Sequence, residues 1–293
     1  MREPVTPAGP SPHPRGASVA AQPTVLHVTD LAYPAAGRRY CDEDIQLSTR
    51  LREDFTVALC HPLDAVRLMD GFDVVLVRNS GPVLHYRDEY EEFRAQAAAR
   101  GTRVLNPLTG RGDMAGKRYL LDLTAAGYPV IPTVDRREHL DRLPPSPAYV
   151  VKPELGADSI GLRVVGPDEL GGLALDGCLV QPRIDFRYEV SFYFVDRVFQ
   201  YALNAPRPDR RWELAPYRPD AADVEFAQRF VDWNTLDHGI QRVDACRTQD
   251  GRLLLVELED LNPYLSLDLL DGTTRDAFVT AVKRSVRSLL DAG

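Results

Sequence analysis

The chain has 293 residues, and its 35 Lys+Arg against 43 Asp+Glu give a formal charge of −8, so no basic field points to nucleic acid or an anionic membrane surface. Its 44% hydrophobic and 27% charged residues are ordinary for a soluble globular protein with room for two or three compact units, and no apolar run reaches the length of a membrane span. The four cysteines, Cys41, Cys60, Cys178 and Cys246, are too dispersed for a zinc site or a disulfide framework, so buried, inert thiols are expected.

Residues 1–23 are rich in Pro, Ala and Gly and lack the apolar core of a signal peptide. They read as a disordered leader on a cytoplasmic protein. Apolar strands are then expected at 24–28, 55–59, 73–78 and 103–106, with helices at 42–51 and 89–100 between them. Strands alternating with helices predict a parallel sheet, so 24–112 forms a small α/β domain. Ligands of such sheets lie beyond the carboxyl ends of the strands, here Thr29-Asp30, His61, Arg78-Asn79-Ser80-Gly81 and Asn106. The first strand lacks a Gly-x-Gly-x-x-Gly turn, which leaves dinucleotide binding unsupported.

A helix at 114–126, ended by Gly127, carries Lys117. The strand 149–153 has Lys152 near its end, and Gly156 and Gly161 bound the loop that follows, with Ser159 inside it. A lysine followed by such a loop suits a phosphate, because glycines let backbone N–H groups approach an anion; a plain hairpin with a long loop is the alternative. Further strands are expected at 179–182, 188–195 and 198–203, with helices at 221–236 and 274–290. The region after 113 therefore reads as α+β with antiparallel sheets.

The hairpin at 241–258 is the most informative stretch. With Asp250-Gly251 as a two-residue loop, Asp244 faces Glu257 and Arg242 faces Glu259. Positions 257 and 259 also share a face. Facing carboxylates repel at Cβ separations of about 5 Å, and a divalent cation would turn that penalty into a site. Asn262 offers one more oxygen, and such hard ligands suit Mg²⁺. A hairpin whose acids face water is the alternative.

A small α/β domain, Lys117, Lys152, a glycine-bounded loop, a Gln181 strand, Asp244 and a terminal acid–Asn run occur in this order. Together they resemble the ATP-grasp superfamily of carboxylate–amine ligases, especially its glutathione-synthetase-like branch of small amino-acid ligases, over nearly all of the folded chain. The resemblance implies an α/β plus α+β architecture: a Rossmann-like domain at 24–112, a central ATP-grasp subdomain at 113–180 and a C-terminal one at 181–293, the last two clasping ATP. It implies that Lys117 and Lys152 reach the phosphates, that Gly156, Ser159 and Gly161 belong to a lid, and that Gln181, Pro182, Arg183 and Ile184 form the adenine hinge. Glu189 then lies near the ribose. Asp244, Glu257, Glu259 and Asn262 are the implied ligands of two Mg²⁺ ions, with Mn²⁺ as a substitute. Many members read Glu-x-Asn where this chain has Glu257-Leu258-Glu259-Asp260-Leu261-Asn262, so either a bulge re-aims Asn262 or Glu259 takes the second position.

The implied chemistry phosphorylates a carboxylate to an acylphosphate, which an amine then attacks to form an amide or peptide bond, with γ-glutamyl transfer in specialised metabolism as one form. Lys152 and Arg207 are the expected catalytic cations. Arg78, Asn79, Ser80, Arg187, Tyr264 and Ser266 are the expected substrate contacts, because arginine forks match carboxylates and the others flank the cleft. The expected partners are small amino-acid-like molecules, with no nucleic acid or membrane and with a homodimer by family analogy. An intramolecular cyclo-ligase and a non-catalytic nucleotide-binding regulator are the competing readings.

Overall fold

A computed structural model of the protein describes residues 22–35, 38–39, 41–78, 86–155, 160–207, 209–211, 213–261 and 263–292. Its first part runs β1 (Thr24–Val28), a two-residue ribbon β2 (Pro34–Ala35) and β3 (Arg38–Arg39), α1 (Cys41–Leu51), β4 (Thr56–Cys60), α2 (Ala65–Leu68), β5 (Val74–Val77), α3 (Arg87–Arg100) and β6 (Val104–Leu105). The strands β4-β1-β5-β6 form a parallel sheet, as the strand–helix alternation predicts. Both faces are covered, because successive side chains point to opposite sides. Val74 and Leu76 join one core while Val75 and Val77 join another, against Tyr90, Phe93 and Ala97 of α3.

The expected helix at 114–126 is shorter and starts later. Asp113–Ala115 is a single 3₁₀ turn, Gly116 adopts φ 85°, and α4 spans Tyr119–Ala125. A positive φ ends a right-handed helix, and glycine adopts it at no steric cost. Lys117 therefore lies in a turn, where its N–H donates to the Glu154 carbonyl at 2.9 Å.

Next come β7 (Tyr149–Pro153), β8 (Arg163–Val165), α5 (Pro167–Gly172) and β9 (Cys178–Pro182), which give an antiparallel sheet in the order β8-β7-β9. The last part comprises β10 (Phe186–Val195), β11 (Val198–Ala205), β12 (Ala215–Tyr217), α6 (Ala221–Asn234), β13 (Ile240–Thr248), β14 (Leu253–Glu259) and α7 (Gly272–Asp291). Its antiparallel sheet runs β12-β11-β10-β13-β14. Val190, Phe192 and Phe194 of β10 pack on α4 and α6. On its other face, Tyr193 and Val195 join Leu47 and Leu51 of α1, Val74 and Leu76 of β5, and Phe278, Val282 and Val286 of α7. The parallel sheet and the large antiparallel sheet thus share one core. None of the four cysteines forms a disulfide; Cys41, Cys60 and Cys246 are buried and Cys178 is half-buried.

The β13–β14 register keeps Asp244 opposite Glu257 and Arg242 opposite Glu259, but Ala245 pairs with Leu255. The loop holds three residues, since Thr248 pairs with Arg252 around Gln249, Asp250 and Gly251 (φ 90°). The extra residue is returned by a bulge at Val256. Two departures from the expected two-residue loop therefore cancel at the acids.

Arg78 is not available to a substrate. It is 2% exposed and donates from Nε to Asp44 Oδ1 at 2.8 Å, from Nη2 to Glu43 Oε1 at 2.7 Å and from Nη1 to the Pro263 carbonyl at 2.7 Å. Glu43 also accepts the Leu265 and Ser266 amides at 2.8 and 2.9 Å. Burial raises the Glu43 carboxyl against the pull of Arg78. At Asp44 the same burial is overcome by Arg78 and His27, which hold it below the usual carboxylate range. Removing the guanidinium would strand two buried carboxylates, a loss of about 3–5 kcal/mol by analogy with other buried pairs. Arg78→Met is expected to lower the unfolding free energy by that order in urea titrations; a loss below about 1 kcal/mol would show that the network does not hold the fold.

Candidate active site

A cavity of about 360 Å³ opens between the small antiparallel sheet and the large one, within the range of small-molecule sites. Val150 and Lys152 of β7 line one wall, and Ile160, Leu162 and Val164 extend it. These last three are exposed apolar side chains, Ile160 and Leu162 in the turn before β8 and Val164 on β8 itself. Gly161, at φ 76°, turns the chain among them. The connection from Gln181 through Phe186 closes the back. Gln181 is itself buried, its Nε2 donates to Thr133 Oγ1 at 2.8 Å, and it pairs with Val150 in the sheet.

The opposite wall is the large sheet, presenting Glu189, Cys246, Val256 and Glu257. A bulge sets two residues against one on the partner strand, and here both Val256 and Glu257 line the cavity. Lys117 reaches the same space from its turn and contacts Glu257. Further along this face, Ser191 Oγ donates to Asp244 Oδ1 at 2.6 Å. Arg242 donates from Nη2 to Asp244 Oδ2 at 2.8 Å and also pairs with Glu259. Asp244, Glu257 and Glu259 thus lie on adjacent strands, matched by Lys117 and Arg242. Burial raises Glu259 to about 8 despite Arg242. Among the described residues no group of three or more His, Cys, Asp or Glu is arranged to hold a metal ion alone. The donor set is nonetheless hard oxygen, of the kind that holds Mg²⁺ jointly with phosphates.

The expected site residues divide as follows. Lys117, Lys152, Gln181, Pro182, Arg183, Ile184, Glu189 and Glu257 line the one cavity, and Asp244 and Glu259 adjoin Glu257 through the strand register. Gly156, Ser159, Asn79, Ser80 and Asn262 lie outside the described residues. Arg207 is exposed and pairs with Glu213, away from the cavity lining, whereas Arg211 lines the cavity and pairs with Glu189. Arg187 is exposed and bonds the Gln249 carbonyl. The Tyr264 carbonyl accepts from Arg242 at 3.1 Å, and Ser266 is fully buried at φ 51°. Arg242 and Arg211 are therefore the cations that sequence reasoning did not assign. The hairpin register already placed Arg242 beside the acids; Arg211 comes from an irregular connection with no periodicity to read.

Burial, with Lys117 and Arg211 nearby, brings the Lys152 ammonium down to about 7. In the unfolded chain it titrates near 10.5, so between these values the unfolded state binds more protons, and this group's contribution to stability rises with pH. An anion in the cavity favours the charged form. Binding of Mg·ATP at pH 8 is expected to draw roughly one proton onto Lys152, and affinity is expected to fall as pH rises above 7. Calorimetry in buffers of different ionisation heat reads the uptake; identical uptake in Lys152→Met would refute the assignment.

No family model matches the sequence. A cycloserine biosynthesis protein, DcsG, of Streptomyces lavendulae is 26% identical over 261 residues, covering 76% of this chain and 87% of the relative. The crystal structure of D-cycloserine synthetase DcsG superposes with a TM-score of 0.67 at 23% identity, covering 88% of this chain and 98% of that one. D-alanine–D-alanine ligase from Bacillus anthracis, complexed with ATP, gives 0.63 at 13% identity, over 93% of this chain and 100% of that one. The macrocyclase MdnC from Microcystis aeruginosa, bound with its precursor peptide, also gives 0.63 at 13% identity, over 90% and 99% of the two chains. The chain has the fold of these proteins, the ATP-grasp fold.

Proposed function

We propose that this chain is an ATP- and Mg²⁺-dependent ligase that joins a carboxylate to an amine of amino-acid-like substrates through an acylphosphate, releasing ADP and phosphate. The observation that carries the reading is the meeting of Lys117, Lys152 and Arg211 with Glu189 and Glu257 in one cavity, beside Asp244 and Glu259 on the adjoining strands. Cations supplied from several elements suit a triphosphate, and acids clustered among them suit the metal that travels with it. Bound Mg²⁺ would be held by Glu257, with Asp244 or Glu259, and would neutralise phosphate oxygens.

The remaining work is positioning. The 181–184 connection receives the adenine on its main chain, and Glu189 takes the ribose hydroxyls once Arg211 turns toward the phosphates. Lys152, already near its neutral point, gains its proton as the phosphates arrive. Arg242 holds Asp244 and Glu259 in place while it grips the Tyr264 carbonyl. The substrate carboxylate attacks the γ-phosphorus with ADP leaving, and the amine nitrogen then displaces phosphate at the acyl carbon and loses a proton. A γ-glutamyl product, a role in specialised metabolism and a homodimer are consistent with this reading.

A second reading is ring closure within one amino-acid derivative, favoured by the similar protein named for cycloserine biosynthesis and the similar structure named D-cycloserine synthetase. Incubation with Mg·ATP and panels of amino acids, reading phosphate and product mass, separates the two. A product of mass equal to two substrates less water indicates intermolecular ligation, and one substrate less water indicates cyclisation. Absence of any substrate-dependent phosphate release would refute both. Glu257→Gln is expected to raise the Mg²⁺ concentration for half-maximal activity at least about tenfold, the scale of one missing charged ligand. Comparing it with Glu259→Gln identifies which acid touches the ion.

A further inference from the structure

Asp260 has no part in the cavity, yet it is fully buried, and its carboxylate is spent on the turn that carries Lys117 and on that turn's support. Its Oδ2 accepts the Gly112 N–H at 2.8 Å and Asn234 Nδ2 at 2.9 Å, and its Oδ1 accepts the Met114 N–H at 3.0 Å. Its own N–H donates to Asp113 Oδ1 at 2.7 Å, which also takes the Leu261 N–H at 3.1 Å. Asn234 in turn accepts the Arg111 N–H at 2.7 Å. The Leu258 N–H donates to Tyr119 Oη at 2.7 Å. Residues 111–119 are thus stitched onto the end of β14 and the two residues that follow it.

The approach is so close that it needs glycine on the turn. A Cβ at Gly112 would stand 2.8 Å from the Leu258 carbonyl oxygen, and one at Gly110 would collide with the Asp260 carboxylate. On the far side of the turn, the Lys117 N–H is held by the Glu154 carbonyl at 2.9 Å. The root of the Lys117 side chain is therefore fixed between the large sheet and the end of β7, and its flexible stem starts from a defined point. Asp260 lies three residues beyond Glu257 in the same run of chain, so one carboxylate references the lysine to the acid it meets.

Granted that Lys117 receives the phosphates, as proposed above, we infer that Asp260 is the positioning residue for Lys117: by gripping the amides of Gly112 and Met114 it sets the distance between the phosphate-binding lysine and the metal-binding strand. A side chain that merely holds the fold would lower stability without a selective effect on nucleotide binding. Asp260→Asn replaces one acceptor oxygen with an N–H₂ that faces donors, so it breaks the grip at little change of volume. Gly112→Ala pushes the turn away from the Leu258 carbonyl.

Calorimetric binding of Mg·AMP-PNP to the full chain tests this. Wild type must bind; if it does not, the nucleotide-cleft reading fails and the positioning role fails with it. Asp260→Asn and Gly112→Ala are each expected to raise Kd about tenfold, the scale of one charge-assisted hydrogen bond. Asp271→Ala, which removes the N-cap of α7, is the control for stability alone, with a lowered melting temperature and wild-type Kd. In a Lys117→Met background the Asp260→Asn effect is expected to vanish, because the two act through the same side chain. Wild-type affinity in both Asp260→Asn and Gly112→Ala, or an undiminished effect in the Lys117→Met background, would overturn the role. Should Asp260→Asn fail to fold, Gly112→Ala with and without Lys117→Met gives the same decision.

Discussion

One short stretch of main chain, 263–266, is held by charged and polar side chains from three directions. The Pro263 carbonyl takes Arg78, the Tyr264 carbonyl takes Arg242, and the Leu265 carbonyl takes Tyr201 Oη at 2.7 Å. The Leu265 and Ser266 amides go to Glu43. Irregular chain cannot satisfy itself as a helix or sheet does, so buried polar groups of this kind must find partners elsewhere. Here the partners come from α1, from the end of β5, and from β11 and β13. The stretch is thereby the point at which the parallel sheet, the large antiparallel sheet and the acid strand are fixed to each other. It follows β14 closely, so the position of Glu257 and Glu259 depends on the same bonds.

The electrostatics of the cavity follow from this fixing. Three carboxylates on adjacent strands would repel, and each has a cation of the protein's own: Lys117 at Glu257, and Arg242 at Asp244 and Glu259. Glu189 has Arg211 in the same way. These pairs are half-buried, so each ion is too desolvated to stand alone, yet no pair is sealed from an incoming ligand. A triphosphate with its metal carries both signs of charge. Bound as proposed above, it would offer phosphates to the cations and its metal to the carboxylates as the pairs open.

Much of this could be read from sequence because it rests on periodicity. The parallel sheet comes from the strand–helix order and the antiparallel strands from alternation of apolar and polar residues, whereas the facing of Asp244 with Glu257, read from a two-residue loop, holds because a bulge offsets the third loop residue. The less regular parts were not legible. Arg78 looks like a ligand-facing arginine because it follows a strand, and only the tertiary contact with Glu43, Asp44 and Pro263 shows that all its nitrogens are consumed. Arg207 and Arg211 occupy one irregular connection, and nothing local says which of the two turns inward. The helix expected from 114 is broken at Gly116, at φ 85°, and Lys117 beyond it bonds the carbonyl of Glu154, a residue 37 positions away. In each case a distant partner takes part, and composition carries no trace of it.

The acid run at the end of β14 shows how little freedom this leaves. Glu257 and Glu259 share the cavity-side face, while Leu258 and Asp260, fully buried, face the other way. Strand side chains alternate, so a slip of one residue would exchange the two sets. The three-residue loop at Gln249 to Gly251 introduces such a slip, and the bulge at Val256 removes it before the acids are reached. Neither feature is tolerable alone. A two-residue loop with the bulge kept would turn two carboxylates into the apolar layer under α4 and α6, and would carry Asp260 away from the amides of Gly112 and Met114. The loop and the bulge therefore act as a pair, and the parity they preserve is what lets one strand serve the cavity with one face and hold the Lys117 turn with the other.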